Sequence, residues 1–422
     1  MDKLIIKGPT KLSGTVAVSS AKNASLPIMA ATLLYPGKIC FKNLPGLSDI
    51  NFFTQILSSL GALTQTNESG LLIDGSTVSE TKADYDLVRK MRASVLVLGP
   101  LLGRFGHAEV SLPGGCAIGT RPVDIHLKGM EALGAKIEIA EGYILAKCEK
   151  LIGANIHLSF PSVGATENIM MAAAFAQGTT IIENAACEPE IEDQANFMNA
   201  CGFKVSGAGT STVKIEGVDL SSFDASKTID YNIIGDRIEA ATYIIAGLMT
   251  DSEIEVNNFN PEHIKDVLEV LKSMGAKLEV NTNKVKVYPS GQLSGAKVET
   301  QPYPGFPTDV QAQLMSLMGV SNGYSIVSEK IFENRFMHVP ELVRMGMEID
   351  LDGHYAFIKG TSKVSAAPVM CTDLRASAAL ILSALVVDGE TTVSRIYHLD
   401  RGYENLAGKF KSLGANIQRV KE

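Results

Sequence analysis

The sequence predicts an α/β fold assembled from six copies of one unit. Three observations carry that expectation. A small-residue corner built around a glycine returns six times along the 422 residues. Each corner follows an amphipathic run and precedes an alternating one, the periods of a helix and of a half-buried strand. Each unit also holds a second helical run, rich in alanine and methionine and nearly free of charge, the pattern of a helix buried within its domain.

The corners are Leu60-Gly61-Ala62, Leu133-Gly134-Ala135, Cys201-Gly202-Phe203, Met274-Gly275-Ala276, Met345-Gly346-Met347 and Leu413-Gly414-Ala415. Their glycines fall roughly 70 residues apart. Glycine suits the left-handed C′ position that ends a helix. The strands that follow include Ala135-Lys136-Ile137-Glu138-Ile139 and Ala276-Lys277-Leu278-Glu279-Val280, and Glu141-Gly142 is expected to turn a hairpin. The apolar runs cover 24–34, 95–102, 166–176, 238–249, 309–318 and 376–387. Composition leaves open whether six units close into two groups of three or extend as a solenoid that binds a partner on its concave face. The period is longer and looser than that of ordinary solenoids, and the chain length makes two domains the natural expectation.

Hydrophobic residues make up 45% and charged residues 20% of the chain, the balance of a folded, water-soluble protein. The start, MDKLIIKGPT, lacks the apolar core and cleavage site of a signal peptide, and the apolar runs are too short to span a bilayer. A cytoplasmic location is therefore expected. The net charge of −8 argues against nucleic acid and acidic membranes as partners, and no obligate protein partner is inferred. Cysteines 40, 116, 148, 187, 201 and 371 show no CxxC spacing and read as free thiols, and the seven histidines show no metal-ligand spacing.

One segment stands apart from packing. Leu112 to Pro122 holds three glycines and two prolines, which preclude a helix and favour a solvent-reaching loop. Cys116 lies within it, five residues before Arg121. A thiol there is either an incidental surface group or an acid or nucleophile tuned by nearby cations. Cations also sit at the starts of apolar helices: Lys22 beside Asn23, Arg92, Arg237 and Arg375. Each alone reads as a salt bridge or a solvated side chain. As a set, against the usual preference for acids in a first turn, they suggest an anion site. Asp309 begins the fifth apolar run, as a helix cap or as a base for a substrate hydroxyl. Ser162-Val163-Gly164 opens the third, either capping it or letting phosphate approach the backbone. Gly402, after Arg401, reads as a turn residue. No GxxxxGK[ST] or GxGxxG motif occurs, which weakens ATPase and dinucleotide readings.

Taken in order, these segments resemble the UDP-N-acetylglucosamine 1-carboxyvinyltransferase family along essentially the whole chain. The resemblance rests on Ala21-Lys22-Asn23-Ala24, Met91-Arg92-Ala93-Ser94, Pro113-Gly114-Gly115-Cys116 and Arg121-Pro122-Val123-Asp124. It continues in Phe306-Pro307-Thr308-Asp309, Glu333-Asn334-Arg335-Phe336-Met337-His338, Asp373-Leu374-Arg375-Ala376-Ser377 and Asp400-Arg401-Gly402-Tyr403-Glu404. It implies the two-domain inside-out α/β barrel of the enolpyruvyl transferase fold, with six βαβαββ-like units, three per domain. One domain would hold residues 22–231, and the other 1–21 plus 232–422, with a deep cleft between them.

The same resemblance implies transfer of the enolpyruvyl group of phosphoenolpyruvate to the 3-hydroxyl of UDP-N-acetylglucosamine, with release of phosphate, the first committed step of peptidoglycan synthesis. Lys22, Arg121 and Arg401 would hold phosphoenolpyruvate, with Asn23 nearby. Arg92, the run Arg121, Pro122, Val123, Asp124 and Ile125, then Ser162, Val163, Gly164 and Ile331, would contact the nucleotide sugar. Arg335 and Arg375 would add positive charge, Asp309 would be the base, and Cys116 the acid toward the methylene carbon and the site of a phosphoenolpyruvate adduct and of fosfomycin alkylation. No metal or organic cofactor is implied. The sequence departs from some relatives at Ser48 and Phe160, where a lysine can occur, so cation contacts there are not carried over. The rival of the same fold is 5-enolpyruvylshikimate-3-phosphate synthase, which the cysteine loop and the Arg121 to Asp124 segment disfavour. The rival of another class is a non-catalytic sugar-nucleotide sensor.

Overall fold

A computed structural model describes residues 2–67, 70–88, 91–112, 123–361 and 363–421, with Arg92 described by its backbone alone. The chain divides into two compact units. The described residues of 20–234 form a central unit, and those of 2–19 plus 235–421 form a terminal unit. Each has its own apolar core.

The six corners explain how one unit follows another. All six glycines have positive φ, from 92° at Gly346 to 105° at Gly275. At the first corner the Gly61 N–H donates to Ser58 O and the Ala62 N–H to Leu57 O, and the same pair of bonds recurs at the other corners, as in Ala276 to Leu271 and Ala415 to Phe410. This is the Schellman ending, which satisfies the last carbonyls of a helix and turns the chain back as a strand. The Glu141-Gly142 turn has φ of 51° and 80° and joins Lys136–Ala140 to Tyr143–Lys147. Two positive angles match the twist of a tight hairpin.

Among the described residues six four-stranded sheets result, all with one pattern. In the second, Lys82–Ala83 runs parallel to His107–Ser111, which is antiparallel to Tyr143–Lys147, itself antiparallel to Lys136–Ala140. Three sheets draw all four strands from consecutive sequence and three borrow one from afar. Ser13–Ala17 pairs with Glu253–Asn257 in the terminal unit, and Thr228–Tyr231 pairs with Lys38–Phe41 in the central one. The first strand, Asp2–Gly8, lies between Gly389–Ser394 and Asn416–Lys421. Period-two alternation marks a strand and not its partner, so these pairings do not follow from periodicity.

The apolar runs are buried helices, three in each unit, packed on one another beneath the sheets. They start earlier than their apolar residues do. Lys22–Ala31 includes the polar Lys22 and Asn23, Val163–Ala173 starts right after Ser162, and Leu374–Val386 includes Arg375. First-turn N–H groups need no intrahelical partner, so polar residues fit there. Two runs begin as 3-10 turns, Arg92–Val97 before Leu98–Phe105 and Thr308–Val310 before Gln311–Gly319. Arg237–Met249 is the sixth. No helix among the described residues is long and apolar enough to cross a membrane.

Candidate active site

In the terminal unit the candidate residues gather around Asp309. Its carboxylate does not cap the helix it begins; neither the Thr308–Val310 turn nor Gln311–Gly319 has a side-chain cap. Instead Arg335 Nη2 donates to Oδ1 at 2.6 Å and Arg375 Nη2 to Oδ2 at 3.1 Å. Both guanidiniums are buried, while the Asp309 side chain keeps 26% of its exposure, so Asp309 is the most open side chain of the three. Burial alone would push its proton affinity up, but the charges of Arg375 and Arg335 outweigh that and hold the carboxyl well below the usual carboxylate range. The group is ionised and, as it stands, a weak base.

Two helix caps aim the surrounding cations. Asp373 Oδ1 accepts from the Arg375 and Ala376 N–H groups at 2.8 and 3.0 Å, and Asp236 Oδ1 accepts from Ile238 and Glu239 at 2.8 and 3.0 Å. The helix dipole at the starts carrying Arg237 and Arg375 is thus met at the N-cap by an aspartate. Arg237 lies over the Tyr303 ring, 5.5 Å from its centroid, at the wall of a cavity of about 400 Å³. Arg401 ends the 3-10 turn Ile396–Arg401. The next residue, Gly402, has φ −149°, so it is not there for left-handed freedom. A Cβ on it would meet Leu374 Cδ2 at 2.5 Å, so glycine lets the Arg401 turn press against the start of the Arg375 helix. Tyr403 follows, beneath the Arg375 guanidinium, and Gln313 Nε2 donates to Tyr403 Oη at 3.2 Å and to Asp309 O at 3.0 Å. Ile331 lies just after the strand Tyr324–Ser328, in a turn organised by Glu329, whose carboxylate accepts from the Ile331 N–H at 2.8 Å.

The central unit brings together a different set. Lys22 and Asn23 open the helix Lys22–Ala31, and Lys22 Nζ lies 3.4 Å from the buried carboxylate of Asp49. Asp49 belongs to Ser48–Ser59, which Ser48 begins. Val123 precedes the helix Asp124–Ala132, Asp124 pairs with Lys128 at 3.4 Å, and Ile125 packs against the core. Ser162 caps Val163–Ala173, accepting from the Ala165 N–H at 3.4 Å. A Cβ on Gly164 would come 3.3 Å from His126 Cε1, so the bare glycine lets the Ser162 and Asp124 helices meet. Asn168 ties them: its Nδ2 lies 3.1 Å from His126 Nδ1 and donates to Val95 O at 3.0 Å, while its Oδ1 accepts from the Gly99 N–H at 2.6 Å. Burial pushes the His126 imidazole down to about 4, which keeps it neutral.

Cys116, Arg121 and Pro122 lie outside the described residues, as does the Arg92 side chain. Sequence reading passed over Asn168, His126, Glu329 and Asp49. Each looks ordinary along the chain, and only the partners reveal it.

The sequence matches the family model described as EPSP synthase (3-phosphoshikimate 1-carboxyvinyltransferase) over residues 6–410. It is 51% identical over 422 residues to the UDP-N-acetylglucosamine 1-carboxyvinyltransferase of Geobacter metallireducens, and 50% identical over 420 residues to the protein of that name from Desulfosudis oleivorans, with 100% of each chain covered. Among solved structures, the enolpyruvyl transferase NikO from Streptomyces tendae superposes with a TM-score of 0.89 at 25% identity, covering 100% of this chain and 99% of that one. EPSP synthase from Acinetobacter baumannii superposes at 0.78 and 16% identity, covering 100% of both, a likeness of fold. Matched by family model and by full-length relatives at half identity, the chain belongs to the enolpyruvyl transferases, the 1-carboxyvinyltransferase family.

Proposed function

We propose that this enzyme transfers the carboxyvinyl group of phosphoenolpyruvate to the 3-hydroxyl of UDP-N-acetylglucosamine and releases phosphate, opening peptidoglycan synthesis in the cytoplasm. The observation that carries the reading is one carboxylate, Asp309, ion-paired between two buried guanidiniums and belonging to the most exposed side chain of the three. Full-length similarity to proteins named for that acceptor supports the choice of sugar.

In this reading the work is divided between a domain of residues 22–231 and one of 1–21 plus 232–422. Lys22, Arg121 and Arg401 hold the phosphate and carboxylate of phosphoenolpyruvate beside Asn23. Arg92, Arg121 to Ile125, Ser162 to Gly164 and Ile331 hold the nucleotide sugar. The sugar hydroxyl oxygen bonds to C2 of phosphoenolpyruvate as Asp309 takes its proton, and Cys116 protonates C3, giving a tetrahedral adduct. Loss of a proton from C3 and cleavage of the C2–O bond to phosphate then give the enol ether. An anion that draws Arg335 and Arg375 toward itself relieves their hold on Asp309 and strengthens it as a base. Fixed guanidiniums stabilise the spreading charge without reorganisation. No step in this scheme calls for a metal or an organic cofactor.

Phosphate release assayed with phosphoenolpyruvate and each acceptor tests the reading. Release is expected with UDP-N-acetylglucosamine and not with shikimate 3-phosphate. The reverse pattern would assign the enzyme to the other branch, and tight nucleotide-sugar binding without release would make it a sensor.

A further inference from the structure

Glu329 is 1% exposed, and among the described residues no lysine or arginine pairs with it. An ionised carboxylate in such a place is costly unless its lone pairs are filled. Here four donors fill them. Oε1 accepts from Thr300 Oγ1 at 2.9 Å, from the Ile331 N–H at 2.8 Å and from the Phe332 N–H at 3.1 Å. Oε2 accepts from Thr308 Oγ1 at 2.9 Å. Thr300 Oγ1 in turn accepts from the Lys330 N–H at 2.9 Å, so the three N–H groups of 330–332 all donate to this pair of side chains.

The two oxygens therefore serve two turns. One organises the turn that presents Ile331 and leads to Arg335. The other grips Thr308, the residue before Asp309, in a 3-10 turn that has no side-chain cap of its own. A carboxamide has one acceptor oxygen and an apolar residue has none, so a carboxylate is the group that can take bonds from both sides at once. We propose that Glu329 is a positioning residue that couples the nucleotide-sugar turn at Ile331 to the placement of the base Asp309. This rests on the roles given to those two residues above. Glu329 touches no substrate; it sets the distance between a group that recognises the acceptor and the group that deprotonates it. Catalytic geometry of this kind depends on such support, because small misplacements of a reacting group are expensive in rate.

The test uses the full chain and separates the two arms. Thr308→Val cuts the arm to Asp309 and leaves the Ile331 turn intact. It should lower kcat by roughly ten- to a hundredfold, the worth of a hydrogen bond to a charged group, with KM for UDP-N-acetylglucosamine changed by less than about twofold. Thr308→Ser keeps the hydroxyl and should restore kcat. Glu329→Ala removes both arms and should also weaken calorimetric binding of UDP-N-acetylglucosamine by roughly tenfold or more, while KM for phosphoenolpyruvate stays put. Glu329→Gln retains an acceptor for the Ile331 turn and, by rotation of the Thr308 hydroxyl, a bond to Thr308, so it should fall between the wild type and Glu329→Ala. Unchanged kcat in Thr308→Val, or constants for both substrates moving together in step with lost thermal stability, overturns the proposal. The Thr308 pair decides the matter even where Glu329→Ala does not fold. Failure of the wild type to turn over UDP-N-acetylglucosamine would instead sink the functional reading itself.

Discussion

The two units share a fold and differ at the starts of their buried helices. In the central unit the tie between helices is neutral: Asn168 bridges His126, Val95 and Gly99. In the terminal unit it is ionic: Asp309 joins Arg335 from one segment to Arg375 from another, with Asp236 and Asp373 capping and Glu329 beneath. The repeat demands only corners, alternating strands and apolar helices, and both units meet that demand in the same way. What stands at a helix start is left free. The terminal unit uses that freedom to assemble charges that would be costly singly and are tolerable as a set. The central unit also holds a carboxylate–lysine pair, Asp49 and Lys22, at the start of another buried helix.

The sharpest test of this contrast is thiol chemistry. Burial pushes Cys201 up to about 12 and Cys371 to about 11, and it raises Cys148 and Cys187 as well. Thiols held protonated are poor nucleophiles. Fosfomycin should therefore abolish turnover through a single adduct on Cys116, located by peptide mapping. Label on Cys148 or Cys187 would show that reactivity is not confined to the glycine-rich segment.

Next comes Asp309→Asn, expected to lower turnover per folded molecule by about 10²–10⁴-fold. It also leaves Arg335 and Arg375 buried without their carboxylate, which should cost about 3–5 kcal/mol of stability by denaturant titration. Turnover preserved alongside that instability would reduce Asp309 to a structural counter-ion. The neutral tie should behave otherwise. Asn168→Ala should cost about 1–3 kcal/mol and raise KM for the nucleotide sugar with little change in kcat. A fall in kcat as large as that of Asp309→Asn would erase the distinction between the units.

A smaller effect probes the neutral tie by pH. His126 is held at about 4, against 6.5 in the unfolded chain. Between those values the unfolded chain takes up a proton that the native centre refuses. The stability it contributes is complete above pH 6.5 and is lost as pH falls toward 4, by up to about 3 kcal/mol. His126→Gln should flatten that decline, and an unaltered slope would place the proton elsewhere. Smallest of all, Gly134→Ala and Gly275→Ala meet no obstacle closer than 3.7 Å and cost only the left-handed backbone, about 1–2 kcal/mol each. Equal losses in the two units are expected, since the corner is common property.

Legibility in the sequence follows the same division. The corners were readable because a left-handed residue after a helix is a local requirement that glycine meets almost alone. The buried helices were readable from absence of charge. Arg335, Arg375 and Asp309 were singled out, but as a base beside scattered cations and not as one ion-paired cluster, because Arg335 lies 26 residues from Asp309 and Arg375 lies 66 away. Glu329 was invisible: in Ser328-Glu329-Lys330 it looks like any charged turn, and its four donors come from three segments. Gly402 reads as a turn residue and is one, but that its bareness also makes room for Leu374 shows only in the packing.

The strand Asp2–Gly8 carries a consequence for the order in which the protein is made. Its hydrogen-bonding partners are Gly389–Ser394 and Asn416–Lys421, with Asp2 opposite Lys421. The central unit, by contrast, finds all its described strands between Lys38 and Tyr231. On a ribosome the central unit can therefore close while the terminal unit is still incomplete. The opening strand, apolar at Leu4, Ile5 and Ile6, waits through nearly the whole of elongation for an edge on which to pair. Throughout that interval it is an exposed template for wrong pairing, and the lysines at 3 and 7 are placed to discourage it.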